Sequence, residues 1–118
     1  DGIPTLEGRP HPRLYNSFAR VLGHYARDEG LFDIATAVYR MTGMSAAKFG
    51  LAERGLIAEG HHGDLVVFVA ERVIDLGTFD DPNQFPAGIE HVFVNGVHTV
   101  ADGQATGQRA GQVLRRPT

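Results

Sequence analysis

Charged side chains that could do acid–base or anion-binding chemistry are concentrated in the first thirteen residues. This segment holds Asp1, Glu7, Arg9, His11 and Arg13. A carboxylate can transfer protons, and a guanidinium can bind a carboxylate through two parallel hydrogen bonds. Three prolines and two glycines in the same segment indicate a loop, and loops on rigid scaffolds often carry binding and catalytic residues. A solvated surface loop has a similar composition, so the residues alone leave both interpretations open.

The six histidines form no recognisable metal-binding pattern. His61 and His62 are adjacent, so their side chains diverge on any regular backbone. His91 and His98 are predicted to share one face of a hairpin, on a diagonal that their rings can bridge. A protein metal site needs three or four ligands, and only Asp102 could join this pair. We therefore expect no metal ligand in this sequence, and we expect His91 and His98 to pack half-buried.

The overall composition excludes several classes of partner. Eleven Lys and Arg against fourteen Asp and Glu give a formal charge of −3, which is too acidic for a basic nucleic-acid-binding face. The longest apolar stretch, Leu65–Ala70, is far shorter than the ~20 residues of a membrane span, so no membrane partner is expected. With no Cys there is no disulfide. The chain starts without Met or an apolar leader, so we expect it to be either processed or the C-terminal part of a longer protein. We expect that protein to be cytoplasmic.

Three helices are predicted in the first half of the chain. Apolar residues recur at helical spacing from Phe18 to Tyr25 and from Ile34 to Met41. Polar residues that can cap a helix N-terminus precede each helix: Asn16 or Ser17, Asp33, and Ser45. The third helix is short, covers residues 46–49, and is expected to end at Gly50.

Strands are predicted in the second half. The β-branched and aromatic run 65–69 is long enough for one strand that is buried on both faces. Residues 80–88 contain two prolines and no periodicity, which indicates a loop. Residues 112–115 could add a last short strand.

The dipeptide Asn95-Gly96 predicts a β-hairpin, because both residue types tolerate positive φ. The flanking segments 89–94 and 97–101 are rich in β-branched and aromatic residues and form its two strands. A two-residue turn at this position places His91 opposite Val100.

Three segments at the start of the chain carry a family resemblance: Asp-Gly-Ile-Pro at 1–4, Arg-Pro-His-Pro-Arg at 9–13, and Phe-Ala-Arg-Val-Leu-Gly-His-Tyr at 18–25. They resemble the late segment of N-acyl-D-amino-acid deacylases (D-aminoacylases), members of the metal-dependent amidohydrolase superfamily. Further segments resemble the same family: 37–44, 46–51, 55–68, 94–97 and 109–116. The Gly-Asp-Leu-Val-Val run at 63–67 is shared with dihydroorotase-like and hydantoinase-like relatives. The Arg-Pro-His-Pro-Arg segment at 9–13 and the Arg-Val-Leu-Gly segment at 20–23 are therefore what point to the deacylases.

The resemblance implies a mixed α and β fold in two parts. Residues 1–54 would be the helical end of a (β/α)8 barrel, comprising an active-site loop and helices. Residues 55–118 would be strands of a small β-sandwich built from both chain ends. Barrel active sites lie at the C-terminal ends of the strands, and Asp1 stands where the last strand should end.

The resemblance also implies roles for individual residues. Asp1 matches the family's catalytic Asp, which takes a proton from zinc-activated water and passes it to the leaving amine. Arg13 resembles the residue that binds the substrate carboxylate, although the loop before it leaves the choice between Arg9 and Arg13 open. His11 could position that loop or touch substrate. The zinc ligands would come from earlier barrel strands, outside this sequence.

The implied function is hydrolysis of the amide of N-acyl-D-amino acids by a zinc-dependent parent enzyme. These 118 residues would be its C-terminal portion, inactive alone, with the rest of the parent chain and the small-molecule substrate as partners. Two alternatives stay open. The β-domain run permits another amidohydrolase, of the cyclic-amide hydrolase type. A non-catalytic truncated paralogue or assembly module is the alternative from a different class.

Overall fold

A computed structural model describes residues 8–115, and the chain divides into two units. The first unit comprises the described residues up to Ala37 together with Val69–Gly88. The second comprises Val38–Phe68 together with the described residues from Ile89 onward. Helices and an antiparallel sheet are both present, which confirms the expected mixed α and β class. Among the described residues, no helix is both long and apolar enough to cross a membrane.

The first helix, α1, covers Arg13–Arg20 and continues directly into a π-helix, Val21–Asp28. Helix formation therefore begins five residues earlier than the apolar spacing from Phe18 predicted. Asn16 and Ser17 lie inside α1, so the prediction that one of them caps it was wrong.

Pro12 explains the early start of α1. Its φ of −53° already has the helical value, and a proline ring holds φ near that value. Proline is favoured at the start of a helix because its missing N–H would have no partner there. The Ser17 hydroxyl, instead of capping the helix, donates a hydrogen bond to the Arg13 carbonyl at 2.8 Å.

The π-helix changes which side chains are neighbours. At its end the Glu29 N–H donates to the His24 carbonyl at 2.9 Å, five residues back. Side chains five positions apart also meet. The His24 Nε2 lies 2.9 Å from a Glu29 carboxylate oxygen, and the Arg20 guanidinium lies 5.3 Å above the centre of the Tyr25 ring. A 3.6-residue period does not predict these pairs.

The core of the first unit lies between this helical stretch and the segment that follows β1. Ala19, Leu22 and Ala26 are buried on one helical stripe, and Val73 is fully buried. Gly23 lies in the same stripe, where an added Cβ would overlap the Val73 carbonyl oxygen. A glycine is therefore required for the backbones to approach this closely.

The second helix, α2, covers Ile34–Met41, and its predicted cap is confirmed. A carboxylate oxygen of Asp33 accepts the Thr36 N–H at 2.6 Å. Hydrogen bonds from the Thr36 side chain and backbone lower the pKa of Asp33, because they stabilise the charged form.

The third helix, α3, covers Gly43–Phe49 and starts three residues earlier than predicted. Ser45 lies inside it and donates to the Arg40 carbonyl at 2.7 Å, so the predicted Ser45 cap was wrong. A Ser hydroxyl inside a helix can bond back to the preceding turn, which is what occurs here. Gly50 ends the helix with φ of +67°, as predicted.

The strands form one antiparallel sheet in sequence order. They are β1 (Leu65–Phe68), β2 (Ile89–Val94), β3 (Val97–Ala101) and β4 (Gln104–Ala105). Residues 80–88 form the predicted loop, with a single bridge of Ala87 to Ile74. The last strand is β4, and the strand proposed at 112–115 is not formed.

The Asn95-Gly96 turn joins β2 and β3 as predicted, with φ of +50° and +75°. A bulge between Val92 and Phe93 then shifts the register by one residue. Val100 therefore pairs with Val92, and the prediction that it faces His91 was wrong.

β1 is an edge strand that pairs only with β2. Its predicted burial on both faces was wrong, because Leu65, Val66 and Val67 are all exposed, Val66 by 55%. Continuous apolar runs are typical of strands covered on both faces. In the part of the chain that the structure describes, β1 has no such cover on its first three residues.

Candidate functional site

The structure describes three of the five residues singled out in the opening loop. Asp1 and Glu7 lie outside the described residues. Arg9, His11 and Arg13 lie in the first unit, where the chain enters α1, and all three are exposed. Arg13 is the first residue of that helix.

The backbone of Arg13 is held on both sides. Its N–H donates to the Nδ1 atom of His11 at 3.1 Å, and its carbonyl accepts the Ser17 hydroxyl at 2.8 Å. Within residues 8–115, the Arg13 guanidinium makes no ion pair and no hydrogen bond. An exposed guanidinium on an anchored backbone is free to bind an anionic ligand.

The His11 ring contacts both the start of α1 and a neighbouring loop. Because its Nδ1 accepts a hydrogen bond, the neutral ring carries its proton on Nε2. The ring meets the Phe79 ring edge to face, with centroids 5.1 Å apart. His11 thus links the entry to α1 with the loop that contains Phe79.

Arg9 differs from Arg13 in having a carboxylate nearby. An oxygen of Asp80 lies 4.0 Å from its Nη1 atom, and both side chains are largely exposed. Such a pair contributes little to stability, because solvent screens it.

Asn16 is a buried residue of this region that the sequence patterns misassigned. It is 2% exposed, and its side-chain oxygen accepts the Leu76 N–H at 3.2 Å. Its amide nitrogen donates to the carbonyls of Gln84 at 3.0 Å and Pro12 at 3.4 Å. The available signal was its position, seven residues before Gly23 on the stripe that becomes buried once the helix starts at Arg13.

Two arginines farther along the helical stretch also bind the segment that follows β1. Arg27 donates through Nη1 to the carbonyls of Val73 at 2.8 Å and Ala70 at 3.1 Å. Arg20 pairs with Asp75 at 2.8 Å. Hydrogen bonds to Tyr25 and then to Asp75 raise the pKa of Arg20. The segment 70–76 is thus fastened to the helix by side-chain contacts.

The histidine pair of the hairpin is the strongest cluster outside this region. The Nδ1 of His91 lies 3.1 Å from the Nε2 of His98, which confirms that the two rings reach each other. The Phe93 ring stacks on His98 with centroids 4.4 Å apart, and a carboxylate oxygen of Asp102 lies 3.9 Å from the Nε2 of His91. Both histidines are half-buried.

This pair does not fit a zinc ion. The two ring nitrogens are at hydrogen-bond distance from each other, and the single nearby carboxylate lies on the other nitrogen of His91. Across residues 8–115, no group of three or more His, Asp or Glu side chains could hold a metal ion. Zinc normally requires such a set of ligands.

Comparison with known proteins gives a consistent result. The sequence is 54% identical over 116 residues to a D-aminoacylase of Alcaligenes xylosoxydans xylosoxydans. The match covers 98% of this chain and 24% of that protein. The chain thus spans about a quarter of the length of the curated relatives that it matches.

Several solved structures are similar to this one, and two of them illustrate the match. A crystal structure of D-aminoacylase matches with a TM-score of 0.94 and 55% identity, over 98% of this chain and 24% of that one. The N-acyl-D-glutamate deacylase of Bordetella bronchiseptica, in complex with zinc and a phosphonate inhibitor that mimics the tetrahedral intermediate, matches with a TM-score of 0.82 and 46% identity. That match covers 92% of this chain and 23% of the deacylase chain.

The sequence profile of the amidohydrolase family matches residues 8–103, from the loop before α1 to the turn after β3. The match includes both the anchored Arg13 and the hairpin. Because it covers most of the sequence, it shows the family directly: the chain belongs to the amidohydrolase family.

Proposed function

We propose that this chain is the C-terminal portion of a zinc-dependent N-acyl-D-amino-acid deacylase. The reaction is hydrolysis of the amide bond of an N-acylated D-amino acid. The observation that carries the proposal is the 54% identity to a D-aminoacylase over 98% of the chain. The rest of the parent chain is the partner that this portion requires for activity.

The proposed architecture assigns residues 1–54 to the end of a (β/α)8 barrel and residues 55–118 to a small composite β-sandwich. The helices of the first part and the antiparallel sheet of the second support it. Residues 69–88, which pack against α1 and the π-helix, would then be a stretch of the later part that returns to the barrel end. The exposed apolar face of β1 is where the rest of a sandwich would add cover.

Asp1 is proposed as the residue that moves the proton during hydrolysis. It takes a proton from the attacking water and delivers it to the departing amine. The family resemblance of residues 1–4 supports this assignment. Zinc, when bound, lowers the pKa of its water to about 7. Residues 8–115 contain no set of side chains that could hold a metal ion. The zinc ligands are therefore proposed to lie outside these residues.

Arg13 is proposed as the residue that binds the α-carboxylate of the substrate. Its exposed guanidinium has no partner among the described residues, and its backbone is anchored at both its N–H and its carbonyl. Arg9 already has Asp80 beside it. A guanidinium and a carboxylate form a planar, two-pronged pair, which suits recognition of an amino acid.

The first test replaces Asp1 by Asn in the full-length enzyme. The amide keeps the shape of the side chain but cannot carry the proton, so kcat should fall by about 10²–10⁴-fold. Folding and metal content should stay close to wild type. The matched control is Asp102→Asn, an exposed carboxylate of the second unit, which should keep wild-type kcat. An Asp1→Asn enzyme of unchanged kcat would remove Asp1 from the mechanism.

The second test concerns the carboxylate. Arg13→Ala should raise KM for a substrate with a free α-carboxylate and change kcat little, because the contact exists in both ground and transition states. On the same substrate with its carboxylate amidated, wild type and variant should become similar. If Arg9→Ala shows this behaviour instead, the carboxylate ligand is Arg9 and the proposed register of the loop is wrong.

A further inference from the structure

Asn16 is a buried polar residue three positions after Arg13, and it joins the start of α1 to the loop 76–84. We propose that Asn16 is a positioning residue for Arg13, so that the loop 76–84 sets the affinity for the substrate carboxylate. The inference rests on the proposed function, since it needs Arg13 to bind that carboxylate.

The hydrogen bonds of Asn16 are all made to backbone atoms. The Leu76 N–H donates to its oxygen at 3.2 Å, while its NH₂ group donates to the Gln84 carbonyl at 3.0 Å. The same NH₂ group donates to the Pro12 carbonyl at 3.4 Å. Both ends of the loop and the residue before Arg13 are therefore tied to one amide. A buried amide is sensitive to substitution, because any partner that is lost leaves an unpaired polar group.

A second link runs through the ring of His11. It accepts the Arg13 N–H at 3.1 Å and packs against Phe79 of the same loop. The loop therefore reaches both sides of Arg13, through Asn16 on the helix side and through His11 on the other. A shift of the loop would be transmitted to the first turn of α1 through both contacts.

At Gly77 the backbone of the loop 76–84 approaches the Asn16 side-chain amide closely. A Cβ added to Gly77 would lie 2.5 Å from the Asn16 amide nitrogen and 3.0 Å from the Pro82 carbonyl oxygen. The φ of Gly77 lies outside the left-handed region, so alanine is conformationally allowed there. Gly77→Ala therefore displaces the Asn16 side-chain amide by steric overlap, without changing the identity of residue 16.

The position of the Arg13 guanidinium affects substrate affinity because its pairing with a carboxylate depends on geometry. Two parallel hydrogen bonds between a guanidinium and a carboxylate require both planes to align. A small displacement of the helix start weakens that pair while leaving the reacting atoms in place. The expected signature is a raised KM for the free carboxylate with kcat preserved.

The experiment compares Asn16→Asp and Gly77→Ala in the full-length enzyme, with N-acetyl-D-methionine and its carboxamide as substrates. Asn16→Asp removes the donor to Gln84 and Pro12 and places a carboxylate beside their carbonyls. Each variant should raise KM for the free acid about tenfold, since small misplacements are costly, and should leave KM for the carboxamide unchanged. The matched control is Gly111→Ala, where an added Cβ meets no atom within 4 Å, and it should behave as wild type.

The same substitutions in an Arg13→Ala background complete the test. If Asn16 acts through Arg13, neither substitution should raise KM further in that background. A KM effect that persists there, or that appears equally with the carboxamide, overturns the inference. The inference is also overturned if Asn16→Asp and Gly77→Ala both fold and both keep the wild-type KM for the free acid. If Asn16→Asp fails to fold, as judged by circular dichroism, Gly77→Ala decides.

The two possible failures are distinguishable. If the wild-type enzyme hydrolyses neither N-acetyl-D-methionine nor the N-acetyl derivatives of D-aspartate and D-glutamate, on which two of the relatives act, the proposed function fails and the inference fails with it. If wild type is active and Arg13→Ala shows the carboxylate-dependent KM, but neither Asn16→Asp nor Gly77→Ala does, then only the positioning role of Asn16 is wrong.

Discussion

The helical face of the first unit and the sheet of the second are held by different kinds of contact. Along α1 and the π-helix, side chains reach the backbone of the facing segment, as Asn16 and Arg27 do. In the sheet, backbone pairs with backbone, and none of the side chains of β1–β4 is buried. The first region depends on which residues occupy its interface, whereas the second depends on strand register and turn geometry.

This difference predicts where single substitutions are harmful. Backbone ladders form with most side chains, so an uncovered sheet face tolerates changes. Close packing and buried polar contacts are specific to residue type, so the helical interface does not. Substitutions matched between the two regions test the contrast directly.

The largest effect is expected at Gly23. A Cβ there would overlap the Val73 carbonyl and lie 2.9 Å from the Ile74 side chain, so Gly23→Ala must separate the helix from the segment behind it. Overpacking of this kind should lower the free energy of unfolding by about 3 kcal/mol, measured by urea denaturation. Gly111→Ala is the control and should have almost no effect. A neutral Gly23→Ala would show that the interface is looser than the geometry indicates.

A matched pair of Val to Thr substitutions compares the two regions. Val73 is fully buried in the first unit, and Val66 is 55% exposed on β1. Val73→Thr buries a hydroxyl and should cost about 2 kcal/mol of unfolding free energy, whereas Val66→Thr should change it by less than about 0.5 kcal/mol. If Val66→Thr costs as much as Val73→Thr, β1 is covered in the protein in solution.

Asn95 is the place in the sheet where residue type should matter. It holds a positive φ of +50° and donates to the Ala110 carbonyl at 2.6 Å. Asn95→Ala should lower the free energy of unfolding by about 1 kcal/mol, because alanine is strained in this conformation and makes no such hydrogen bond. Asn95→Gly keeps the allowed conformation and separates the two causes. A larger loss for Gly than for Ala would contradict this explanation.

The smallest effect is a pH dependence at the start of α2. The hydrogen bonds from Thr36 lower the pKa of Asp33 in the folded state, so the charged carboxylate stabilises the fold above the ordinary Asp pKa of about 4. That contribution is lost as the pH falls through the lowered value. Melting temperatures of wild type and Asp33→Asn, measured from pH 7 to pH 3, should therefore converge in acid. Parallel curves would rule out this contribution.

Features encoded in a few adjacent residues could be predicted from the sequence. The Asp33 cap, the helix end at Gly50 and the turn at Asn95-Gly96 were predicted correctly, because each depends on the conformational preference of one or two residues. The pairing of His91 with Val100 was not, because a bulge between β2 and β3 is set by how the two strands meet.

The candidate site shows the same division. The sequence by itself determined that arginines stand at positions 9 and 13 of a proline-rich segment, and the family resemblance made Arg13 the candidate anion-binding residue with Arg9 as the alternative. That Arg13 begins a helix was not predicted, because the apolar spacing starts only at Phe18. Only the tertiary structure decided that Arg13 is unpaired among the described residues while Arg9 lies near Asp80. It also decided that Asn16 is buried against the loop 76–84. Backbone preference acts between neighbours in sequence, but the burial and pairing of a polar group depend on segments some sixty residues away.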